Sequence, residues 1–502
     1  MKRRDFIRST SAGAAFLTAG GLAAFRPAPV VVSPCAMQSS RNLPLAFEAD
    51  VVVAGGSTAG VAAAAKAAQQ GAKVLLVAPE PYLGEDLCAT FRLWRDEKQP
   101  VYHPLEDELF GQGGFATPMH IKKVLDDVLI QNKVQFLYAT FVTDLIVDEH
   151  NRPAGVVIAN RSGRQAVRAK VIIDATPRAM VARMGNARFE PFRPGKHRFE
   201  WITVGNKNRA TAQTVALPDQ LVFGGKKFPV WKSTFDFELK DGSFASLAEA
   251  EQKARDLTWD AEQVESSEKL FGIPRNRLIG KKRLNNSGIH PGEINPGVFQ
   301  PKKTENLFVL SGAASFSDEA AEALLRPGAL IAAGDRIGAA AAIVASNRAS
   351  SEQLTVAGEK IKEGYPGDVK ELLKGLRSSM NTGMVSSPEL GLPVLGSYDV
   401  LVLGGGTSGA PAGLGAARKG AKTLVLEYLH GLGGIGTMGM IGRYYHGYRE
   451  GFTNEVDLGT KTIGGDSPRQ KKRLDEWVFD WKTEWFRSEI RKAGGEIWFG
   501  VL

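Results

Sequence analysis

Two stretches of this sequence repeat one pattern without a gap, and that pattern restricts the fold more than any other feature. Ala49-Asp50-Val51-Val52-Val53-Ala54-Gly55-Gly56-Ser57-Thr58-Ala59-Gly60 aligns with Tyr398-Asp399-Val400-Leu401-Val402-Leu403-Gly404-Gly405-Gly406-Thr407-Ser408-Gly409, an offset of 349 residues. The offset holds through Gly71-Ala72-Lys73 against Gly420-Ala421-Lys422, and again at Leu83-Gly84 against Leu432-Gly433. Each copy reads as a buried parallel strand, a glycine turn, an alanine-rich helix and a second strand (74–77 and 423–426). This is the opening βαβ unit of a dinucleotide-binding fold. The glycines allow the tight turn and a close backbone approach, so that the helix N-terminus faces a pyrophosphate.

The second copy is complete: Gly404, Gly406 and Gly409, then Glu427 ending the second strand, where a carboxylate accepts hydrogen bonds from both ribose hydroxyls. The first departs from it. Ser57 replaces the middle glycine and Ala78 replaces the terminal acid. Glu80, two residues on, either takes over the ribose contact or is a solvated loop charge.

The N-terminus has the parts of an export signal, from Met1 to about Ala24. Lys2-Arg3-Arg4-Asp5-Phe6-Ile7-Arg8 resembles the twin-arginine consensus, a route that carries folded proteins. Cys35 follows Pro34, which disfavours a lipoprotein. Export to the periplasm is therefore expected. No later run of apolar residues is long enough to span a membrane, so no stable span is expected once the signal is removed.

Part of the net charge of +9 sits in that leader. The remaining basic residues are scattered, without an aromatic-interleaved stripe, so no nucleic-acid partner is expected. Two cysteines, Cys35 and Cys88, exclude both a four-thiolate iron–sulfur cluster on this chain alone and a disulfide framework. No metal-spaced cluster, HExxH motif or Ser–His–Asp set is evident, and no metal is expected.

At the glycine turns and the segments after them, the chain resembles the bacterial FAD-dependent oxidoreductases of the glutathione-reductase/fumarate-reductase type. The resemblance runs from Asp50 to Ala345 and resumes at Tyr398. A glycine-containing loop follows the second strand of each copy: Tyr82-Leu83-Gly84-Glu85-Asp86-Leu87-Cys88 and Leu432-Gly433-Gly434-Ile435-Gly436-Thr437. In the family this loop covers the pyrophosphate and approaches the flavin. A strand-rich stretch (134–142, 145–148, 155–158, 167–173) ends in Ile172-Ile173-Asp174-Ala175-Thr176, similar to a family segment that carries glycine where Pro177 stands. Glu305-Asn306-Leu307-Phe308-Val309-Leu310-Ser311-Gly312, then Leu325-Arg326-Pro327-Gly328 and an alanine-rich helix to about Ala345, resemble the closing flavin segment.

The resemblance implies FAD as cofactor, and the closing segment disfavours NAD. It implies cofactor contacts at Gly55, Gly56, Ser57, Thr58, Ala59, Gly60, Glu80, Gly84, Val142, Asp174 and Gly312. In the second copy the matching positions are Gly404, Gly406, Gly409, Glu427, Gly433 and Gly434. It also implies that the closing helix aims its positive N-terminus at the flavin N1/C2=O edge, where negative charge builds on reduction. Arg326 stands beside it, as a second positive charge or as an ordinary surface residue. Ala313 stands where many relatives carry an acid for the ribityl hydroxyls.

The expected fold class is α/β: a Rossmann-like FAD-binding domain, an inserted mixed α+β substrate domain, and a partial second Rossmann-like unit. The expected boundaries are 1–47 for signal and linker, 48–187 with 304–346 for the FAD-binding domain, and 188–303 for the substrate domain. A linker (347–397) with a charged helix at about 367–377 then leads to the partial second unit (398–502). The second copy ends near a strand at 496–499. Either the product is truncated or a partner chain completes the site.

Four residues are candidates for chemistry. Cys88 lies in the loop nearest the implied flavin, as an attachment point or redox thiol, or as a small buried residue. Arg92, with Trp94 and Arg95, either holds an acidic or hydroxylated substrate or forms a structural packing group. Arg326 is the third. His446, after Arg443, Tyr444 and Tyr445, is an acid–base candidate or a structural histidine. Two classes of function follow. One is an FAD-dependent dehydrogenase or oxidase acting on a small, in one reading carbohydrate-derived, substrate in the cell envelope, with an unidentified electron acceptor. The other is a non-catalytic FAD-fold scaffold that binds a ligand or partner.

Overall fold

The computed structural model describes residues 35–95, 100–111, 115–207, 209, 213–286, 288–358, 383–447, 449–471 and 476–501. The leader and the charged helix expected at 367–377 lie outside the described residues.

Strand β1 (Cys35–Gln38) precedes β2 (Arg41–Ala54), whose last four residues are wholly buried. A near-continuous Val/Leu/Ile run marks a strand covered on both faces, and the next strands share it. Helix α1 (Thr58–Gln69) follows the glycine turn, capped by Ser57, whose hydroxyl accepts the Gly60 N–H at 3.2 Å. The chain then enters β3 (Val74–Val77), the short α2 (Glu85–Cys88), α3 (Pro104–Phe110), α4 (Pro118–Gln131) and β4 (Gln135–Leu137). Strands β5 (Phe141–Val147), β6 (Pro153–Asn160) and β7 (Gly163–Asp174) form an antiparallel meander. The end of β7 returns beside β2, in parallel, with Val51 opposite Val171. Helix α5 (Met180–Met184) follows.

A second sheet is antiparallel throughout. It holds β8 (Gly195–Gly205), β9 (Thr214–Phe223), β10 (Lys226–Leu239), β11 (Gln263–Ser266) and β12 (Phe271–Gly272), ordered β11-β8-β10-β9 with β12 also on β8. Helix α6 (Phe244–Thr258) lies between β10 and β11 in the chain and buries Ala248, Ala250 and Ala254.

Strand β13 (Leu307–Val309) adds to β7 in parallel, so the nucleotide-type sheet reads β4-β3-β2-β7-β13. Helices α7 (Asp318–Leu324) and α8 (Ile331–Ser346) follow, and α8 lies against α1.

The stretch expected to be a linker contributes strands instead. Strands β14 (Thr355–Val356) and β15 (Met384–Ser387) bridge β5 to the first half of β2 and close a ring of six strands, β7-β6-β5-β14-β15-β2. Leu43, Ile146, Val157, Ala166, Val356 and Val385 fill its interior. Closure removes the exposed edges of the meander and of β2, which otherwise invite pairing with other chains. Strand β16 (Leu390–Pro393) pairs with β1.

Residues from 398 onward build a three-stranded parallel sheet, β17 (Val400–Leu403), β18 (Thr423–Glu427) and β19 (Glu496–Phe499), with helices α9 (Gly409–Arg418), α10 (Phe452–Gly464) and α11 (Phe479–Lys492). This unit docks on α6: Trp498 packs with Ala248, and the buried Arg487 reaches Asp256 at 2.7 Å and Gln252 at 3.0 Å. No helix among the described residues is long and apolar enough to cross a membrane.

Candidate functional site

The two glycine turns are built by the same hydrogen bonds. Lys73 N–H donates to the Asp50 carboxylate at 2.8 Å, and Lys422 N–H to Asp399 at 2.9 Å. Gly84 N–H donates to Gly56 at 2.7 Å, and Gly433 N–H to Gly405 at 2.9 Å, laying each loop across its turn. Gly55 sits at φ +111°, and a Cβ there would come within 2.7 Å of the Ala175 backbone. Only glycine fits that conformation and that approach. Gly60 and Gly409 face the carbonyls of Gly55 and Gly404 too closely for a side chain.

The first turn opens into a cavity of about 180 Å³, lined by Ser57, Thr58 and Ala59 from the turn, Leu310 to Gly312 from the β13 exit, and Arg326, Gly328 and Leu330 ahead of α8. It shares Arg92, Phe271, Gly272, Leu325, Arg326 and Pro327 with a larger cavity of about 1000 Å³. The larger one lies between the nucleotide-type sheet and the antiparallel sheet. Seven cationic side chains line it: Arg92, Arg95, Arg198, Lys232, Arg275, Arg277 and Arg326. Five carboxylates oppose them (Glu200, Asp219, Asp236, Asp318 and Glu322), leaving a surplus of positive charge.

Arg92 joins the two cavities. Its Nη1 donates to the Leu325 carbonyl at 2.7 Å, its guanidinium lies 3.7 Å over the Phe271 ring, and Glu200 is 3.7 Å from Nε. Burial pulls its pKa down to about 10, so it stays charged at neutral pH. Arg326 lines both cavities as well, and Trp94 and Arg95 line the larger one. The structure thus brings Arg92 and Arg326 together.

It does not bring Cys88 or His446 to them. Cys88 is buried in the main core with its thiol 3.8 Å from the Pro118 carbonyl, and burial pushes its pKa up to about 12, holding it as an inert thiol. His446 is exposed on the second unit. Asp174 is wholly buried and lines neither cavity. Its oxygens accept the Thr176 N–H and hydroxyl and the Ala182 N–H, fixing the turn after β7. Glu80 is neither a free ribose acceptor nor a solvated charge: it is buried and ion-paired with Lys269. Val142 lies in β5 beside Phe141, whose ring meets Tyr428 of the second unit.

The second turn is occupied by its own chain. Glu427 accepts the Gly405 N–H at 2.6 Å and the Leu429 N–H at 2.9 Å. Gly434 packs so closely that a Cβ would lie 2.7 Å from Thr407 N, whereas Gly406 faces open space. Neither cavity is lined by a residue of this copy.

The first site offers the turn, the Gly312 strand exit, the start of α8 and a wall that mixes apolar side chains (Leu87, Leu270, Phe271, Leu310, Leu330) with hydroxyl and charged groups, which fit a flavin and its ribityl tail. At the pyrophosphate position one group competes. The Asp86 carboxylate accepts the Thr58 N–H at 2.8 Å and the Thr58 hydroxyl at 2.6 Å, where the helix N-terminus would hold phosphate. Burial raises the pKa of Asp86 above the usual carboxylate range, while the Thr58 bonds work against that rise. The site therefore fits FAD once Asp86 turns aside. Sequence reasoning passed over Asp86, although the offset of 349 residues sets Glu85 and Asp86 against Gly434 and Ile435 and so marks two acids at a phosphate loop. Lys269, Phe271, Arg275 and Arg277 carried no such signal.

Glu106 is a further buried acid beside the flavin segment. A Cβ on Gly328 would lie 3.2 Å from its Cγ; one carboxylate oxygen accepts the Tyr102 N–H at 3.1 Å and the other has no hydrogen-bond partner. Burial pushes its pKa up to about 7. A raised carboxyl contributes stability that is full below its unfolded pKa and is lost as pH rises through about 7. Glu106→Gln is expected to raise Tm at pH 8 by about 2–4 °C and to flatten the decline between pH 5 and 8. Thermal melts across that range check it, and an unchanged pH profile would refute it.

The profile of the FAD dependent oxidoreductase family matches residues 50–200 and 399–480 of this chain. No curated protein matches the sequence at a significant level. Among solved structures, the flavin-dependent brominase Bmp2 is 12% identical with a TM-score of 0.38, over 60% of this chain and 80% of that one. The OxyS anhydrotetracycline hydroxylase from Streptomyces rimosus is 13% identical with a TM-score of 0.32, over 53% of this chain and 57% of the hydroxylase, less than two thirds of its length. A geranylgeranyl bacteriochlorophyll reductase-like protein from Thermoplasma acidophilum is 14% identical with a TM-score of 0.34, over 60% and 78%. The profile match supports an FAD-dependent oxidoreductase family for this chain, with FAD as its cofactor.

Proposed function

We propose that the chain is an FAD-dependent dehydrogenase or oxidase that acts on a small acidic or hydroxylated substrate, such as a carbohydrate derivative, in the cell envelope. The observation that carries this reading is the junction of the two cavities at Arg92, Phe271 and Arg326. When bound, the flavin supplies the hydride or electron chemistry. The chain's own residues bind and orient. Surplus arginine in the larger cavity favours a ligand with carboxylate or hydroxyl oxygens, since guanidinium offers paired, geometrically fixed donors. Arg92, held by the Leu325 carbonyl and stacked on Phe271, is positioned to grip such a ligand beside the flavin segment. Export by the twin-arginine route, inferred from Arg3 and Arg4, suits a protein that folds around its cofactor first.

The purified chain is expected to show flavin's visible bands and to release close to one FAD per chain on heating. Anaerobic addition of sugar acids and other hydroxy acids should bleach those bands. A colourless, folded chain that stays empty in excess FAD would overturn the reading.

A second reading, a non-catalytic scaffold, is favoured by Asp86 on the Thr58 donors and by Ala78 in place of the ribose acid. A partner chain completing the second unit belongs to that reading. It is supported by the open edge of β17, where Leu401 and Leu403 are 52% and 76% exposed.

A further inference from the structure

Three remote segments meet behind the first glycine turn. Glu80 comes from the exit of β3, Glu268 from the turn between β11 and β12, and His430 from the loop after β18. One ligand atom from each lies within 4.8 Å of the other two. The His430 side chain is 7% exposed, and neither ring nitrogen has a hydrogen-bond partner. An imidazole buried with one nitrogen unsatisfied and the other reaching a carboxylate only at 3.8 Å is costly, and such a group calls for an explanation.

The charges around it point the same way. Glu80, Glu85, Glu251 and Glu268 converge here, against Lys269 and Arg255. Four carboxylates face these two paired cations, with Lys122 over the Tyr82 ring at the edge of the cluster, an acid-rich setting for a further positive charge. Glu251 Oε1 lies 3.8 Å from His430 Nδ1, placed as the carboxylate that orients a metal-bound imidazole. Tyr82 donates its hydroxyl to Glu268 and holds that side chain in place.

We propose that Glu80, Glu268 and His430 form a divalent-metal site, suited to zinc, that ties the second unit to the first nucleotide-type domain and the antiparallel sheet. One imidazole and two carboxylates are a ligand set zinc accepts in a tetrahedron, with water in the fourth position. The imidazole disfavours calcium and magnesium, which take oxygen. Lys269 is the competitor, since its ammonium now pairs with Glu80 and Glu85. A metal on Glu80 leaves Lys269 with Glu85, whose Oε1 has no hydrogen-bond partner and can receive it. Because the ligands are 80, 268 and 430 in the chain, no sequence spacing reveals them.

The test uses the full chain, stripped with chelator and titrated calorimetrically with zinc chloride. We expect about one zinc per chain and a rise in Tm that chelator reverses. His430→Ala and Glu268→Gln should each weaken binding by more than about 100-fold, beyond what loss of a supporting group costs. Because the approach of His430 to Glu251 is a long one of 3.8 Å, its variant is expected to fold, which circular dichroism checks; if it does not, Glu268→Gln carries the same comparison. Cobalt substitution provides a second readout: visible d–d bands in the parent chain that are lost in either variant. Failure of the parent to bind zinc at stoichiometric concentrations overturns the proposal. So does zinc binding of unchanged affinity in the folded variants.

Discussion

Gly334→Val is expected to lower stability by about 3 kcal/mol or more and to abolish retention of FAD. A Cβ at Gly334 would stand 2.3 Å from the Ala59 carbonyl oxygen, and one at Gly338 would stand 2.2 Å from that of Ala63. These two glycines are four residues apart on one face of α8, and they let it rest directly on the α1 backbone. No rotamer of valine relieves a clash that begins at Cβ. The helices must separate, and with them goes the packing of Ala59, Ala63, Ile337 and Ala341. Because α1 begins at Thr58, the same displacement unseats the N-terminus that faces the phosphates. Gly415→Ala in α9 is the matched control: its Cβ would meet nothing within 4 Å, and the ordinary helical gain of roughly 0.5–1 kcal/mol is expected. Melting curves and flavin absorbance on the purified variants check both. At about 2–4 °C per kcal/mol the valine variant should melt some 6–12 °C lower. A Gly334→Val chain that melts like the parent would show that α8 does not set the position of α1.

Which parts of the molecule were legible depended on whether a residue's role is local. The βαβ units were readable because strand burial, a positive-φ turn and helix packing each dictate residue type over a few positions: Val51 to Gly60 states all three. Arg92 and Arg326 were each readable as a candidate because each stands in a segment with a recognisable place, but their meeting at one cavity junction was not. The barrel closure was not, since β14 has two residues and β15 four, too short for any period, and their partners are about 200 and 340 residues away. For Cys88 the sequence left a reactive thiol and a small buried residue both open, and the structure agrees with the second. It lies in the right loop, but on the face of α2 that turns into the core. His446 sits after the second loop, on a unit whose turn lines neither cavity. The docking of the second unit through Arg487 and Arg491 onto α6 left no mark in the sequence beyond ordinary charged helices. A buried arginine and a surface one are spelled alike; only the acids across the interface, Asp256 and Glu249, distinguish them.

Asp86→Asn is expected to raise FAD affinity by about 10- to 100-fold. The carboxylate now holds both donors of Thr58, 2.8 and 2.6 Å away, at the end of α1 where the positive helix terminus would otherwise act on phosphate. A diphosphate entering there must displace that side chain and then lie near its charge. Asparagine keeps the size, loses the charge and can donate to phosphate, so about 1–3 kcal/mol of repulsion and competition is removed. The same reasoning fixes the pH dependence. The Asp86 pKa is raised, and its neutral form competes less, so FAD should bind the parent more tightly as pH falls through that pKa. The variant should lose this dependence, because it has no proton to gain at that position. Equilibrium titration of the apoprotein with FAD, followed by flavin fluorescence at several pH values, measures both effects. Weaker binding in Asp86→Asn would mean that the carboxylate organises the Thr58 turn for the cofactor instead of competing with it. In that case the first site would use Asp86 as part of its frame, and the phosphates would have to be met by donors other than Thr58.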